Sequence, residues 1–145
     1  MERVIINKEK LRKEEIDKTK IKSRVILLND KNEIILCNYN GCYLLIGGKV
    51  EKQETIKEAL LREIKEEIGV VLDHNDIKEF ILIEHYQKNY PTENNTIKNN
   101  LLITYYFILD FFVNKLQYRQ RHLMDLIEVH LNQIKLRRIL KNLLY

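Results

Sequence analysis

The sequence predicts an α/β domain built on a mixed β-sheet, and three observations carry that prediction. Short segments that alternate apolar with charged residues, separated by turn pairs, occupy the first third of the chain. A helical pattern with both ends marked covers 55–68. A long, almost continuous apolar run, Leu101–Val113, has the character of a strand buried on both faces. A chain of 145 residues is one domain, 1–145, and buries close to 70% of its extended surface on folding.

The elements follow in order. Residues 8–18 form at most a weak helix, because Leu11 and Ile16 are its only apolar members, and 1–20 reads as a peripheral N-terminal arm. Ile21, Ser23, Val25 and Leu27 alternate with charged neighbours in a half-buried strand that runs to Leu28. Asp30-Lys31-Asn32 turns the chain into a returning strand, Glu33–Tyr39. Asn40-Gly41 then suits a type I′ hairpin turn, which needs positive φ at both positions, and Tyr43–Ile46 pairs back. In the helix over 55–68, Thr55 and Glu58 make a capping box and Gly69 supplies the left-handed C-terminal cap. Phe80–His85 is a strand, 87–100 a polar loop holding Pro91, and Leu126–Leu131 a shorter strand. Leu136, Ile139, Leu140, Leu143 and Leu144 repeat at helical spacing as an amphipathic terminal helix.

Composition excludes several classes. With 45% hydrophobic and 32% charged residues and one proline, the chain is neither disordered nor collagenous. Two cysteines, Cys37 and Cys42, make neither a disulfide framework nor a metal quartet. The four histidines, His74, His85, His122 and His130, show no ligand spacing. No apolar run is long enough to span a bilayer, and the N-terminus MERVIINKEK carries charge where an export signal needs an apolar stretch. The expectation is a cytoplasmic protein with no membrane partner. Charge is uneven: basic residues dominate 1–24 and 114–145, and acidic ones dominate 25–113. Solvated helix faces account for basic ends, and a polyanionic partner such as RNA is the alternative.

The stretch from Gly47 to Val70 carries the chemistry. On a helical wheel started at Ile56, the residues Ile56, Leu60, Ile64 and Ile68 fall within roughly 0–120° and define the buried face. Glu63 and Glu67 lie at its edge or within it, and Glu66 stands beside them. Like charges at these spacings repel, and desolvation sharpens the repulsion. A hard divalent cation explains such a cluster, since carboxylate oxygens are its preferred ligands. A salt-bridged surface helix using Lys57, Arg62 and Lys65 is the alternative. Gly47, Gly48 and Gly69, three of only four glycines, bracket this helix, and adjacent glycines after a strand allow close backbone approach to a ligand.

Gly48, Glu54, Arg62-Glu63-Ile64, Glu66-Glu67 and Gly69-Val70 stand at the spacing of the Nudix box, and the chain resembles the Nudix hydrolase family over 48–70. The resemblance implies a Nudix-type α/β/α sandwich with a mixed β-sheet. It implies a pyrophosphohydrolase that uses Mg²⁺ or Mn²⁺ to cleave a nucleoside diphosphate linked to another moiety: a nucleoside triphosphate, nucleotide sugar or dinucleoside polyphosphate. By position Glu63, Glu66 and Glu67 match the metal carboxylates, the carbonyl of Gly47 or Gly48 a backbone ligand, and Arg62 and Glu54 the groups that orient them. Glu51 matches an acidic position near the metals. Two departures, Ile46 for the usual proline and Gln53 for a frequent glycine, touch the loop rather than the ligands.

The general base is either a box glutamate or a later acid, with Glu84, Glu93, Asp110 and Glu128 as candidates. Tyr43, Tyr86, Tyr90 and Tyr105 are candidates for stacking a base, while Lys88 and Arg24 are read as solvated cations. The substrate expected is a small nucleotide derivative. A non-catalytic module binding nucleotide or RNA, or an RNA 5′-pyrophosphohydrolase, is the alternative. Many Nudix enzymes pair as dimers, and the resemblance leaves a homodimer open for this chain.

Overall fold

In a computed structural model, which describes residues 1–28, 33–39, 42–110 and 126–130, the strands join in one mixed sheet, and among the described residues one long helix packs on it. The strands are β1 (Glu2–Ile6), β2 (Lys18–Leu28), β3 (Glu33–Tyr39), β4 (Cys42–Leu44), β5 (Gly47–Lys49), β6 (Lys78–Pro91), β7 (Ile97–Asp110) and β8 (Leu126–His130); the helix α1 is Ile56–Ile68. The order across the sheet is β1-β6-β7-β2-β3-β4, with β5 paired to β2 and β8 to β3. Central β2 runs parallel to β7 along its whole length, from Lys18 opposite Asn100 to Leu28 opposite Asp110. Its other edge takes β5 and then β3, both antiparallel.

Alternation along β2 decides the two faces of the sheet. Val25 and Leu27 point to the side that receives α1, where they pack with Ile35, Phe107, Leu109 and the helix residues Leu60, Ile64 and Ile68. Leu60 and Ile64 are fully buried, and each such side chain contributes about 1.5–3 kcal/mol relative to leaving it in water. Ile26 points the other way into a second cluster with Ile34, Leu45, Ile81, Ile83 and Tyr106.

Several elements differ from the sequence reading. The segment 8–18 holds only a single 3-10 turn, Lys13–Glu15. The chain ahead of it is no peripheral arm: β1 pairs parallel with β6, and Val4 and Ile6 pack on the second cluster. Asn7 then brackets buried Leu11, accepting its N–H at 2.8 Å and donating to its carbonyl at 2.7 Å. The polar loop expected over 87–100 shrinks to 92–96, because β6 and β7 extend as a two-stranded hairpin closed by Thr92 and Thr96. Cross-strand backbone bonds hold these polar ends without an apolar pattern. Tyr39 pairs with Cys42, the register a two-residue turn at Asn40-Gly41 requires. That turn, the Asp30-Lys31-Asn32 turn and the terminal helix expected over 136–144 lie outside the described residues.

Candidate active site

Helix α1 begins where the sequence says it should. Thr55 Oγ1 accepts the Glu58 N–H at 3.2 Å, Glu58 Oε2 accepts the Thr55 N–H at 2.7 Å, and Gly69 ends the helix at φ 68° with its N–H on the Lys65 carbonyl. The helix thereby holds Arg62, Glu63, Glu66 and Glu67 against the β5 strand, whose Gly47 and Gly48 pair with Arg24 and Ser23 of β2.

Two bare backbone positions make this approach close. Gly47 sits at φ 126°, a conformation L residues avoid, and a Cβ there would run into the Ser23 carbonyl. A Cβ on Gly48 would collide with the Glu63 carboxylate. The Glu67 carboxylate lies one residue away and accepts the Gly47 N–H at 3.1 Å. Burial pushes Glu67 above the usual carboxylate range, with Glu63 and Glu66 adding to the effect.

Arg62 organises the rest. Its Nε donates to Glu54 Oε1 at 2.6 Å and its Nη2 to Glu54 Oε2 at 3.2 Å, a bidentate pair. Nη1 donates to Glu63 at 3.0 Å and to Glu66 at 3.1 Å, and Nη2 also reaches the Lys49 carbonyl at 3.3 Å. The pairing raises the Arg62 guanidinium above its ordinary value and holds Glu54 below the carboxylate range. Glu54 also accepts the Glu51 N–H at 3.0 Å; the Glu51 side chain itself is exposed.

The donor set is three carboxylates beside bare glycine backbone, all hard oxygen, and it fits a hard divalent cation. The side chains are not closed on a single point: among the described residues no three His, Cys, Asp or Glu side chains are gathered as a metal cage. The reason is visible in the hydrogen bonds, since Arg62 draws Glu63 and Glu66 to one side while Glu67 turns to Gly47. The alternative of a salt-bridged helix is thus partly realised through Arg62, but its partners lie on the glycine side.

Next to Gly47, on the sheet face away from α1, lies a pocket of about 160 Å³ lined by Lys22, Arg24, Tyr43, Leu45, Thr104 and Tyr106 among others. Arg24 is only partly exposed and donates to the Leu45 carbonyl at 2.5 Å, so it is a wall of the pocket rather than a solvated cation. Of the residues lining it, the sequence singles out only Tyr43 and, as a solvated cation, Arg24; the alternation of cations along β2 is a signal for Lys22, and no local signal marks Leu45, Thr104 or Tyr106.

The remaining candidates are scattered. Tyr86 is buried on β6 and takes no part in that pocket. Tyr105 packs against the α1-side core. Glu84 is buried and ion-paired with Arg3 at 2.6 Å. Glu93 lines a groove at the Lys18 end of β2, six residues or roughly 20 Å along the strand from Arg24. The Asp110 backbone ends β7 opposite Leu28, and the Glu128 backbone pairs with Ile35; their side chains lie outside the described residues. Burial, aided by the Glu67 carboxylate, pushes the Cys37 thiol up to about 12, which leaves it unreactive.

A family model for the NUDIX domain matches residues 18–138. A curated ADP-ribose pyrophosphatase of Methanocaldococcus jannaschii is 43% identical over 49 residues, which cover 34% of this chain and 27% of that protein. The chain therefore aligns with about a quarter of that relative. A MutT structure from work on the Aliivibrio salmonicida and Vibrio cholerae proteins superposes with a TM-score of 0.50 at 21% identity, covering 76% of each chain. The Ap4A hydrolase of C. elegans gives 0.50 at 15% identity, over 76% of this chain and 80% of that one. At these identities the structures establish likeness of fold.

Proposed function

Since this chain belongs to the NUDIX domain family, we propose that it is a pyrophosphohydrolase that uses Mg²⁺ or Mn²⁺ to cleave a nucleoside diphosphate linked to another moiety. The observation that carries the reading is the joint placement of Glu63 against Gly48, Glu67 on the Gly47 N–H, and a cationic pocket on the neighbouring strand. Glu63, Glu66 and Glu67, with a glycine carbonyl, would hold the metal. When bound, the metal neutralises the pyrophosphate and activates the attacking water.

The chain's own residues do the rest. Arg24 and Lys22 supply positive charge for the phosphates on the sheet face away from α1. Tyr43 offers an exposed ring at the pocket edge for a base. Arg62 holds Glu63 and Glu66 in fixed orientation, and Glu54 in turn fixes Arg62 by its bidentate grip. The buried walls of Tyr106 and Leu45 limit water on that side. A small nucleotide derivative is the substrate class this reading takes, and the names of two relatives, an ADP-ribose pyrophosphatase and an Ap4A hydrolase, support it.

The test is a phosphate-release screen with Mg²⁺ and with Mn²⁺ over nucleoside triphosphates, ADP-ribose, nucleotide sugars and dinucleoside polyphosphates. Turnover of one class should disappear in Glu67→Gln while the melting curve stays cooperative. Turnover that survives Glu67→Gln and Glu63→Gln alike would remove these carboxylates from the reaction.

A further inference from the structure

The sheet face turned away from α1 carries a second constellation. Alternation puts Lys18, Lys20, Lys22 and Arg24 on one side of β2, a row of roughly 20 Å at about 3.3 Å per residue. Among the described residues none of the three lysines meets a carboxylate. Burial, reinforced by Arg24 and Lys20 on either side, pulls Lys22 below the ordinary lysine value, so the row is held together against its own repulsion. Such a row is stabilised by an anion that runs along it.

At the end far from the carboxylates the row opens into a groove of about 270 Å³ lined by Lys18, Lys20, Lys98, Tyr90, Asn100 and Glu93 among others. Two details show that this groove is built. The first is a β-bulge. Gln87 pairs with Asn100, but Tyr90 rather than Asn89 pairs with Lys98, so one extra residue has entered β6. Asn89 takes φ 53° to absorb it, and its N–H is fixed by Asn99 Oδ1 at 3.1 Å. The bulge brings the tyrosine to the lysine face, where its ring stands 5.6 Å from Lys20 Nζ. The second is Asn100, only 3% exposed. Its Nδ2 donates to Gln87 at 2.9 Å, which fixes the side chain at the groove wall, and its Oδ1 is buried without a hydrogen-bond partner.

We infer that this face is a docking track for single-stranded nucleic acid, with phosphates against Lys98, Lys18, Lys20 and Lys22 and a base stacked on Tyr90. A flat aromatic ring amid backbone-tracking cations is the general chemistry of single-strand binding. The position of the cations selects a polynucleotide over a dinucleoside polyphosphate. The latter gathers its phosphates between its two nucleosides, whereas here the Tyr90 ring stands at Lys20, and Lys18 and Lys98 lie farther from the carboxylates than Lys20 does. That the end of the strand is delivered to the carboxylates rests on the hydrolase reading; the docking does not.

Fluorescence anisotropy without added metal tests the docking apart from any turnover, using labelled oligouridylate and oligothymidylate of about 12 residues and a duplex of the same length. Both single strands should bind more tightly than the duplex, and the preference between them identifies RNA or DNA. Tyr90→Ala should weaken binding roughly tenfold or more, and Tyr90→Phe should restore it. Lys18→Gln with Lys98→Gln should flatten the salt dependence by about 1.4 in log–log slope. Absence of single-strand binding at about 50 mM salt, equal binding of the duplex, or indifference to Tyr90→Ala in a protein that melts normally would each overturn the inference.

Discussion

Arg62 donates to three different carboxylates, with two bonds to Glu54 and one each to Glu63 and Glu66. A planar guanidinium with several fixed donors can do this, and a lysine ammonium cannot. Arg62→Lys should therefore lower kcat by roughly 10–100-fold while far-ultraviolet circular dichroism is unchanged, the range typical for groups that orient metal ligands. Gln53 adopts φ 72°, a conformation that suits glycine. A side chain there costs about 1–2 kcal/mol, offset in part by the extra freedom glycine gives the unfolded chain. Gln53→Gly should raise the denaturant midpoint, by about 0.5 kcal/mol in stability. The glutamates of this site were legible in the sequence because their spacing relative to the glycines is local. The roles of Thr104 and Tyr106 beside Lys22 and Arg24 were not, because β2 and β7, about 80 residues apart in the chain, bring them together only in the sheet.

Helix α1 was legible nearly to the residue, since its start and stop are written in side chains that act within one turn. Thr55→Ala removes one half of the reciprocal cap and should destabilise the protein by about 1 kcal/mol in denaturant unfolding. The β1 strand and the extended β6–β7 hairpin were not legible for the opposite reason. Lys88–Pro91 and Ile97–Asn99 are exposed or only partly covered and show no apolar period, so only the backbone ladder specifies them. The bulge at Asn89 is likewise set by its partner strand, through Asn99.

At the scale of the molecule, the carboxylates divide into two groups with opposite pH behaviour. Glu54 is held low chiefly by its hydrogen bonds to Arg62, and Glu58 by the Thr55 N–H. Their folded values lie below the unfolded value of about 4.5, so the stability they contribute is complete above that pH and is lost as the pH falls through the folded values. Glu67 is held high by burial, so its charged form opposes folding above the unfolded value, and acid relieves it. The melting temperature should accordingly fall as the pH drops below about 4.5, and Glu54→Gln should make that fall shallower, as followed by thermal melts across pH.

The two-sided character of β2 limits how the chain can vary in length. Odd-numbered Val25 and Leu27 face the helix, and even-numbered Lys18 to Arg24 form the cationic row. Loss of one residue near Ile21 would invert one half of the strand against the other, setting lysines against the core side or core valine against the groove. The turn at 92–96 joins two strands at an exposed end and carries no such parity. Change in length is thus confined to the periphery of the sheet, and its central strand keeps a fixed count.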